Sequence, residues 1–441
     1  MSKSFLIVVT VIMLLVPYVL RAASSAPSDS LEFAAFADVL SQIFSREKIA
    51  SILSKLPPKC KIHGYDYGDY SGDDGMDLVL STRSTDAPPR VIDVHFFLNS
   101  GPDFELAHTV QRRYMLEPIE VGFSIEQGVC HVTEKTGEFD WRITGYSMAQ
   151  GLFRRVSEWT TRRLRAGGGS TAVGFEQSLD HLTNMGWERY FGVNTGRTFL
   201  DQHFYSLPVY PAALELPSDI PVRVGDTTAF MIVRGGSSWY GAEDSHFMLS
   251  ARYDSASVLF EIRIHDDRLL HHAVSDSADY LALHFDLSGR PRIQRDGTRQ
   301  RYPEQSHVTL LLIMGDGEGH GPAVTILGDK RADSLLPHIA VTMRSDATDY
   351  NSWDFTLRLP RKLFSRSSVL HGAGFCAVYH DVDHASRRDW ATVLSTAREY
   401  REGMPETYGR ISFMTEYKRM FERLDLRTRY LARRLRGAGV L

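Results

Sequence analysis

The residues with chemistry to offer in this chain are carboxylates at short spacing and aromatic rings beside them. Asp244, Asp266, Asp267, Asp381 and Asp383 stand at or near the ends of short apolar runs. Carboxylates gathered at strand ends supply the hard oxygen donors that Ca²⁺ takes. They also end strands by accepting hydrogen bonds from turn amides, and the spacing alone leaves both readings open. A second acidic group, Asp69, Ser71, Asp73 and Asp77, lies in the run Gly68 to Leu80 (GDYSGDDGMDLVL). Oxygen ligands at alternate positions of a tight loop can converge on one cation, and the same residues also build a solvated Asp/Gly hairpin turn. The rings are Trp239, Tyr240, Trp353 and Trp390. A pyranose has an apolar C–H face and a rim of hydroxyls, so rings next to carboxylates suit a sugar. Core packing at a strand edge is the competing reading for Trp239 and Trp353.

Bond-breaking machinery is harder to find. The chain contains no G-x-S-x-G elbow, no H-E-x-x-H and no Walker loop. The Gly-rich run Gly315 to Gly321 lies between two strand-like segments and lacks the dinucleotide spacing. Glu117, Glu120, Glu126, Glu134 and Glu138 could supply the carboxylate pair of a glycosidase, or they are surface glutamates on strands. Met231, Met248 and His246 are the residue types that ligate haem, with nothing in the sequence tying them together.

The elements that must position these groups follow from apolar period. Phe5 to Leu20 is almost wholly apolar, follows Lys3 and precedes small residues. Residues 1–26 therefore read as a secretory signal, with a single anchor helix as the other reading. The protein is then expected to be exported, to a periplasm, a cell surface or the extracellular space. In that setting Cys60 and Cys130 are the natural disulfide pair, and Cys376 sits in an apolar run as a buried free thiol. Leu31 to Phe44 and Glu47 to Leu56 have helical spacing. DLVLSTR, VIDVHFFL, IEVGFSI and GVCHVTEK read as strands, and Tyr146 to Arg163 reads as a helix. Residues 31–165 are thus expected to be an α+β domain.

Residues 166–221 read as a linker with a short helix at Phe175 to Tyr190, opened by AGGGST and closed by four prolines. From 222 to 415 the chain reads as many short strands with turns between them. This predicts an antiparallel, jelly-roll-like β-sandwich. Residues 416–441 read as an amphipathic helix with eight basic and three acidic residues. Such a tail suits a membrane surface or a protein partner; a helix docked on its own domain is the other reading.

The motif order in 222–415 resembles the family 9 carbohydrate-binding modules and the related DOMON-like sandwiches. Trp239-Tyr240-Gly241-Ala242-Glu243-Asp244 matches the opening. The strand Val258 to Asp267 ends in Asp-Asp, and Asp279 to Asp286 is the D-x-x-x-L-x-x-D-like strand. Trp353 to Pro360 ends in Leu-Pro, and Gly374 to Asp383 ends in Asp-x-Asp. The resemblance covers under half of the chain. It implies a sandwich, a sugar clamped between rings drawn from Trp239, Tyr240, Trp353 and Trp390, and Ca²⁺ on the aspartates named above. The Asp69 loop is similar to the calcium loops of FG-GAP-type repeats, but has Asp74 where the loop would want Gly, and occurs once.

With 50 Lys and Arg against 54 Asp and Glu, the net charge is −4, which disfavours a nucleic-acid partner. The expected function is an exported, non-catalytic glycan-binding protein with a role in carbohydrate catabolism. Two alternatives stand beside it: a glycoside-hydrolase-associated protein with its active site in residues 31–165, and a haem-binding electron carrier.

Overall fold

The computed structural model describes residues 33–58, 60–84, 90–114, 120–137, 139–149, 152–164, 172–213, 221–226, 231–268, 278–288, 307–313, 323–328, 339–345, 351–366, 369–370, 372–382, 391–414 and 417–419. The signal-like segment, Trp390, Asp383 and most of 416–441 lie outside these residues. The chain divides into two units, 1–154 with 416–441, and 155–415.

The first unit opens with two short helices, α1 (Phe33–Leu40) and α2 (Arg46–Ser54). Ser45 caps α2 by accepting from the Lys48 amide at 3.4 Å. Four antiparallel strands follow: β1 (Cys60–Gly68), β2 (Asp77–Ser84), β3 (Arg90–Asn99) and β4 (Phe104–Tyr114). Strand alternation sends Leu78 and Leu80 toward the helices, where Phe36, Leu40 and Ile52 cover them. It sends Val79 to the opposite face. There a second core joins it to Val121 of β5 (Glu120–Glu126), Cys130 and Val132 of β6 (Val129–Lys135) and Tyr146 of β7 (Trp141–Ala149).

This unit is mainly β, which corrects the expected α+β domain. The helix expected over Tyr146 to Arg163 is β7 followed by β8 (Leu152–Leu164). Trp159, Thr160 and Thr161 favour extended backbone, and the sheet provides partners for it. The C-terminal helix is corrected in its described part. Tyr417–Arg419 is a strand, β26, paired with Leu152 to Arg154 of β8. Cys60, Cys130 and Cys376 are all free and buried. Cys60 and Cys130 belong to different cores, so the expected disulfide is not formed.

In the second unit, β8, β9 (Val173–Asp180), β10 (Met185–Gly192) and β11 (Thr198–Pro211) form an antiparallel sheet. This replaces the expected linker helix at Phe175 to Tyr190. β10 alternates strictly between half-buried and buried residues, the period of a strand. Inward Glu188 is held by Arg410 at 3.2 Å and by Gln202 at 2.7 Å.

The sandwich expected over 222–415 is present. Its first sheet runs β12 (Val222–Val224), β14 (Ser245–Tyr253), β15 (Ser257–Asp266), β20 (Ser352–Pro360), β19 (Ala340–Ser345). Its second runs β18 (Ala323–Gly328), β17 (His307–Ile313), β16 (Tyr280–Asp286), β23 (Ala373–Asp381). β24 (Thr392–Ser395) and β25 (Gly409–Phe413) lie beside the two halves of β23, and β13 (Ile232–Arg234) pairs with β24. A small hairpin, β21 (Ser365–Arg366) and β22 (Val369–Leu370), stands apart. β11 joins the sheets by pairing in parallel with both β14 and β25.

One core fills the space between the sheets. Phe260 of β15 reaches across to Phe285 at 6.0 Å and Phe375 at 6.2 Å between ring centroids. The second sheet is covered on its outer side as well. The Tyr400 hydroxyl there pairs with His284 Nε2 at 3.1 Å, and that of Tyr408 with His307 Nε2 at 2.8 Å. Burial pushes His284 down to about 3, with His307 and His380 adding to it. In the first unit burial likewise lowers His95 to about 4, between Thr82 and Thr109.

Both imidazoles take a proton less readily folded than unfolded, where the value is 6.5. The unfolded chain therefore gains protons first, and stability is lost as pH falls below 6.5. We expect the urea midpoint to drop steadily from pH 7 to pH 4, and His95→Gln with His284→Gln to flatten that slope. An unchanged slope in the double variant contradicts this assignment.

Candidate functional site

At one end of the sandwich the apolar filling stops. Inward alternation on β15 runs Val258, Phe260, Ile262, Ile264 and then Asp266. On β23 it runs Phe375, Ala377, Tyr379 and then Asp381, and on the chain entering β16 it places Asp279 before Leu281. The three aspartates are buried, and one carboxylate oxygen of each lies within 4.8 Å of the others. Asp266 accepts from the Tyr379 hydroxyl and from the Arg268 amide at 2.7 Å. Asp279 accepts from the Val382 amide at 2.6 Å. The Tyr379 hydroxyl is pushed well above its ordinary range, by burial first and by the three neighbouring carboxylates next.

Like charges this close in a buried place repel, so the cluster calls for positive charge. Its donors are all carboxylate oxygens, the set that a hard cation such as Ca²⁺ takes. Asp266, Asp279 and Asp381 would hold it. Asp266 and Asp381 were named from sequence. Asp279 was missed as a ligand, although it opens the strand whose alternation places it beside Leu281.

The other aspartates do different things. Asp244 is buried and accepts from the Tyr240 amide at 3.2 Å, while its carbonyl accepts from the Asp267 amide at 2.9 Å. Asp267 itself is exposed. In the first unit, Asp69, Asp73 and Asp77 turn their oxygens onto the loop's own donors. Asp69 accepts from Gly72 and Asp74 amides at 2.7 and 2.9 Å, and Asp73 from Ser71 Oγ at 2.9 Å. Asp77 accepts from Tyr70, Ser71 and Asn99 amides at 3.0, 2.8 and 2.8 Å. Asp74 takes the left-handed φ of 62°, the conformation that Gly would adopt without cost.

The rings stand at the same end of the sandwich as the triad. Ser245, at the start of β14, pairs with Asp266, and Trp239 donates Nε1 to the Ser245 carbonyl at 2.9 Å. Trp239 is half-buried, and Tyr240 next to it is 87% exposed. Trp353 is half-buried, registers opposite Ile264 and packs on the rim of the inter-sheet core. Beside it Arg263 grips Asp354 with two bonds of 2.7 and 2.8 Å. Two ring stacks missed from sequence complete this end. His246 lies on His265 at 4.9 Å, and Tyr280 lies on His380 at 4.2 Å. Cross-strand pairing at the start of β14 and the end of β15 was the signal that could have brought the two histidines together.

Among the described residues, Met231 is separated from His246 and Met248, and two of the glutamates are held in ion pairs. Met231 is inside the sandwich core, whereas His246 lies on the opposite face of β14 from inward Phe247, with its Nδ1 at 2.6 Å from the Ala242 carbonyl. Glu134 is buried in an ion pair with Arg112 at 2.7 Å, and Glu120 lies 3.5 Å from Lys135. Glu117 and Glu138 lie outside the described residues.

No protein-family model matches the chain, and no curated protein matches it. Among the solved structures similar to it over part of its length are the two that follow. Both are family 9 carbohydrate-binding modules from Caldicellulosiruptor kristjanssonii, one in complex with glucose and one with cellotriose. Each is 12% identical to this chain and covers 47% of it, with 95% and 93% of the module matched and TM-scores of 0.31 and 0.30. The sandwich described above rests on its strand pairings and does not depend on this likeness.

Proposed function

We propose that the chain is an exported, non-catalytic glycan-binding protein whose site is the triad end of the sandwich. The observation that carries this is that one exposed ring, Tyr240, and two half-buried indoles, Trp239 and Trp353, lie at the same end of the sandwich as a set of fixed carboxylates and imidazoles. Half-buried rings keep a fixed tilt and still offer surface, so stacking on them costs little ordering. Asp354 and His265, on the outer face of the sheet beside the His246 stack, would supply hydroxyl partners at positions set by the strands.

A cation on Asp266, Asp279 and Asp381 is the second part of the proposal. When bound, it would neutralise the triad and tie the end of β15 to the ends of β16 and β23. In this reading the metal supports the ring-bearing rim and does not touch sugar.

Calorimetry of the full chain with glucose, cellotriose, xylotriose and mannotriose tests the first part. We expect one of these to bind, Tyr240→Ala to weaken it about tenfold or more without lowering the melting temperature, and Trp353→Ala to abolish it. No heat from any of the four, or full affinity in Tyr240→Ala, rejects the site.

Melting in millimolar Ca²⁺ against EDTA tests the second part. Ca²⁺ is expected to raise the midpoint, and Asp279→Asn to remove the rise. Identical midpoints for the unsubstituted protein in Ca²⁺ and EDTA reject the metal.

A further inference from the structure

The sheet of β8 to β11 presents a face that the triad end does not use. On β10, Gly186, Glu188 and Tyr190 are buried, while Trp187, Arg189 and Phe191 are half-exposed on the other side. Register places Trp159 of β8 and Trp187 on either side of Ser178, in one row. The two indoles therefore stand about 10 Å apart, two strand spacings.

Phe191 lies opposite Gly174, and a Cβ on that glycine would fall 2.5 Å from the phenyl Cζ. The ring thus rests against bare backbone, in the space a side chain would take. Arg189 stands between the rings, its guanidinium 5.4 Å from the Trp187 centroid and 5.1 Å from that of Phe191. Glu176 holds it at 2.6 Å, and Trp187 donates Nε1 to Asp201 at 2.6 Å. Trp187, Arg189 and Phe191 are thus each held by a neighbour.

We propose that this face is a second glycan platform, taking an extended neutral polysaccharide across Trp159, Trp187 and Phe191. Three features select that ligand. The rings are spread too far for one sugar and lie on one face of one sheet, which fits a chain of pyranoses. The central cation is already paired with Glu176, whereas nucleic acid or an acidic peptide would need uncompensated Lys and Arg. Polar groups lie between the rings, as a hydroxyl-bearing ligand needs and an apolar protein patch does not. A second site on one chain would raise the avidity for polymers over short sugars.

The platform shares no residue with the triad end, so the two can fail separately. Affinity electrophoresis of the full chain in gels carrying mixed-linkage β-glucan, xylan or galactomannan is the test, with Trp187→Ala, Gly174→Val and Tyr240→Ala variants. Trp187→Tyr serves as the conservative control for folding. We expect retardation by at least one polymer. We expect it to weaken about tenfold in Trp187→Ala and Gly174→Val, to persist in Trp187→Tyr and in Tyr240→Ala, and trisaccharide affinity to stay unchanged in Trp187→Ala. Retardation equal to that of the unsubstituted protein in Trp187→Ala overturns the platform, as does no retardation in any gel. Self-association that Trp187→Ala abolishes, with no polymer binding, assigns the face to a second copy of the chain and also overturns it. Loss of retardation in Tyr240→Ala alone assigns polymer binding to the triad end.

Discussion

A sandwich buries the facing sides of two sheets, and its filling has to end somewhere. In this protein it ends on three inward carboxylates. Asp266, Asp279 and Asp381 occupy the next inward position beyond Ile264, Tyr379 and before Leu281, so the same alternation that builds the apolar core delivers three negative charges to one buried place. Everything at that end follows from this constraint. The charges need compensation, the Tyr379 hydroxyl is recruited to one of them, and backbone amides of Arg268 and Val382 to two. The described chain just beyond β15 and β23 is thereby tied to the triad, at the end of the sandwich that carries Trp239 and Trp353.

On the proposed reading, that arrangement gives recognition a rigid base. Tyr240 is exposed, but its own amide is bonded to buried Asp244, whose carbonyl in turn takes the Asp267 amide one residue beyond the triad. Trp239 is fastened through its indole N–H to the strand that pairs with Asp266. Trp353 is held by packing on the core rim. A ring fixed by a chain of this kind loses little freedom on meeting a ligand, which is where affinity for a weakly interacting molecule such as a sugar must come from.

Much of the sandwich was legible in the sequence. β15, β16, β20 and β23 fall within two residues of the runs Val258 to Asp267, Asp279 to Asp286, Trp353 to Pro360 and Gly374 to Asp383. Their inward positions are apolar and β-branched or aromatic, so the period of two is visible. The strands of 146–190 were not legible, and the reason is chemical. Arg154 and Glu188 occupy buried inward positions there, which makes the inner face read as polar, and Glu176 is buried on the other face in its pair with Arg189. Glu188 is tolerated because Arg410, far along the chain, meets it at 3.2 Å. A partner that distant leaves no trace in local periodicity. Asp279 was overlooked for a related reason. Its importance comes from which strands become neighbours, and only the fold shows that β16 stands next to β23 across from β15.

The central claim is that the triad end of the sandwich, with its rings, is where a sugar is received. Hydrogen exchange of the full chain read by mass spectrometry, with and without cellotriose or another trisaccharide that binds, tests it most directly. The account predicts added protection in peptides covering Trp239 to His246 and Asn351 to Asp354. Protection confined to other segments, with these two unchanged, would contradict it.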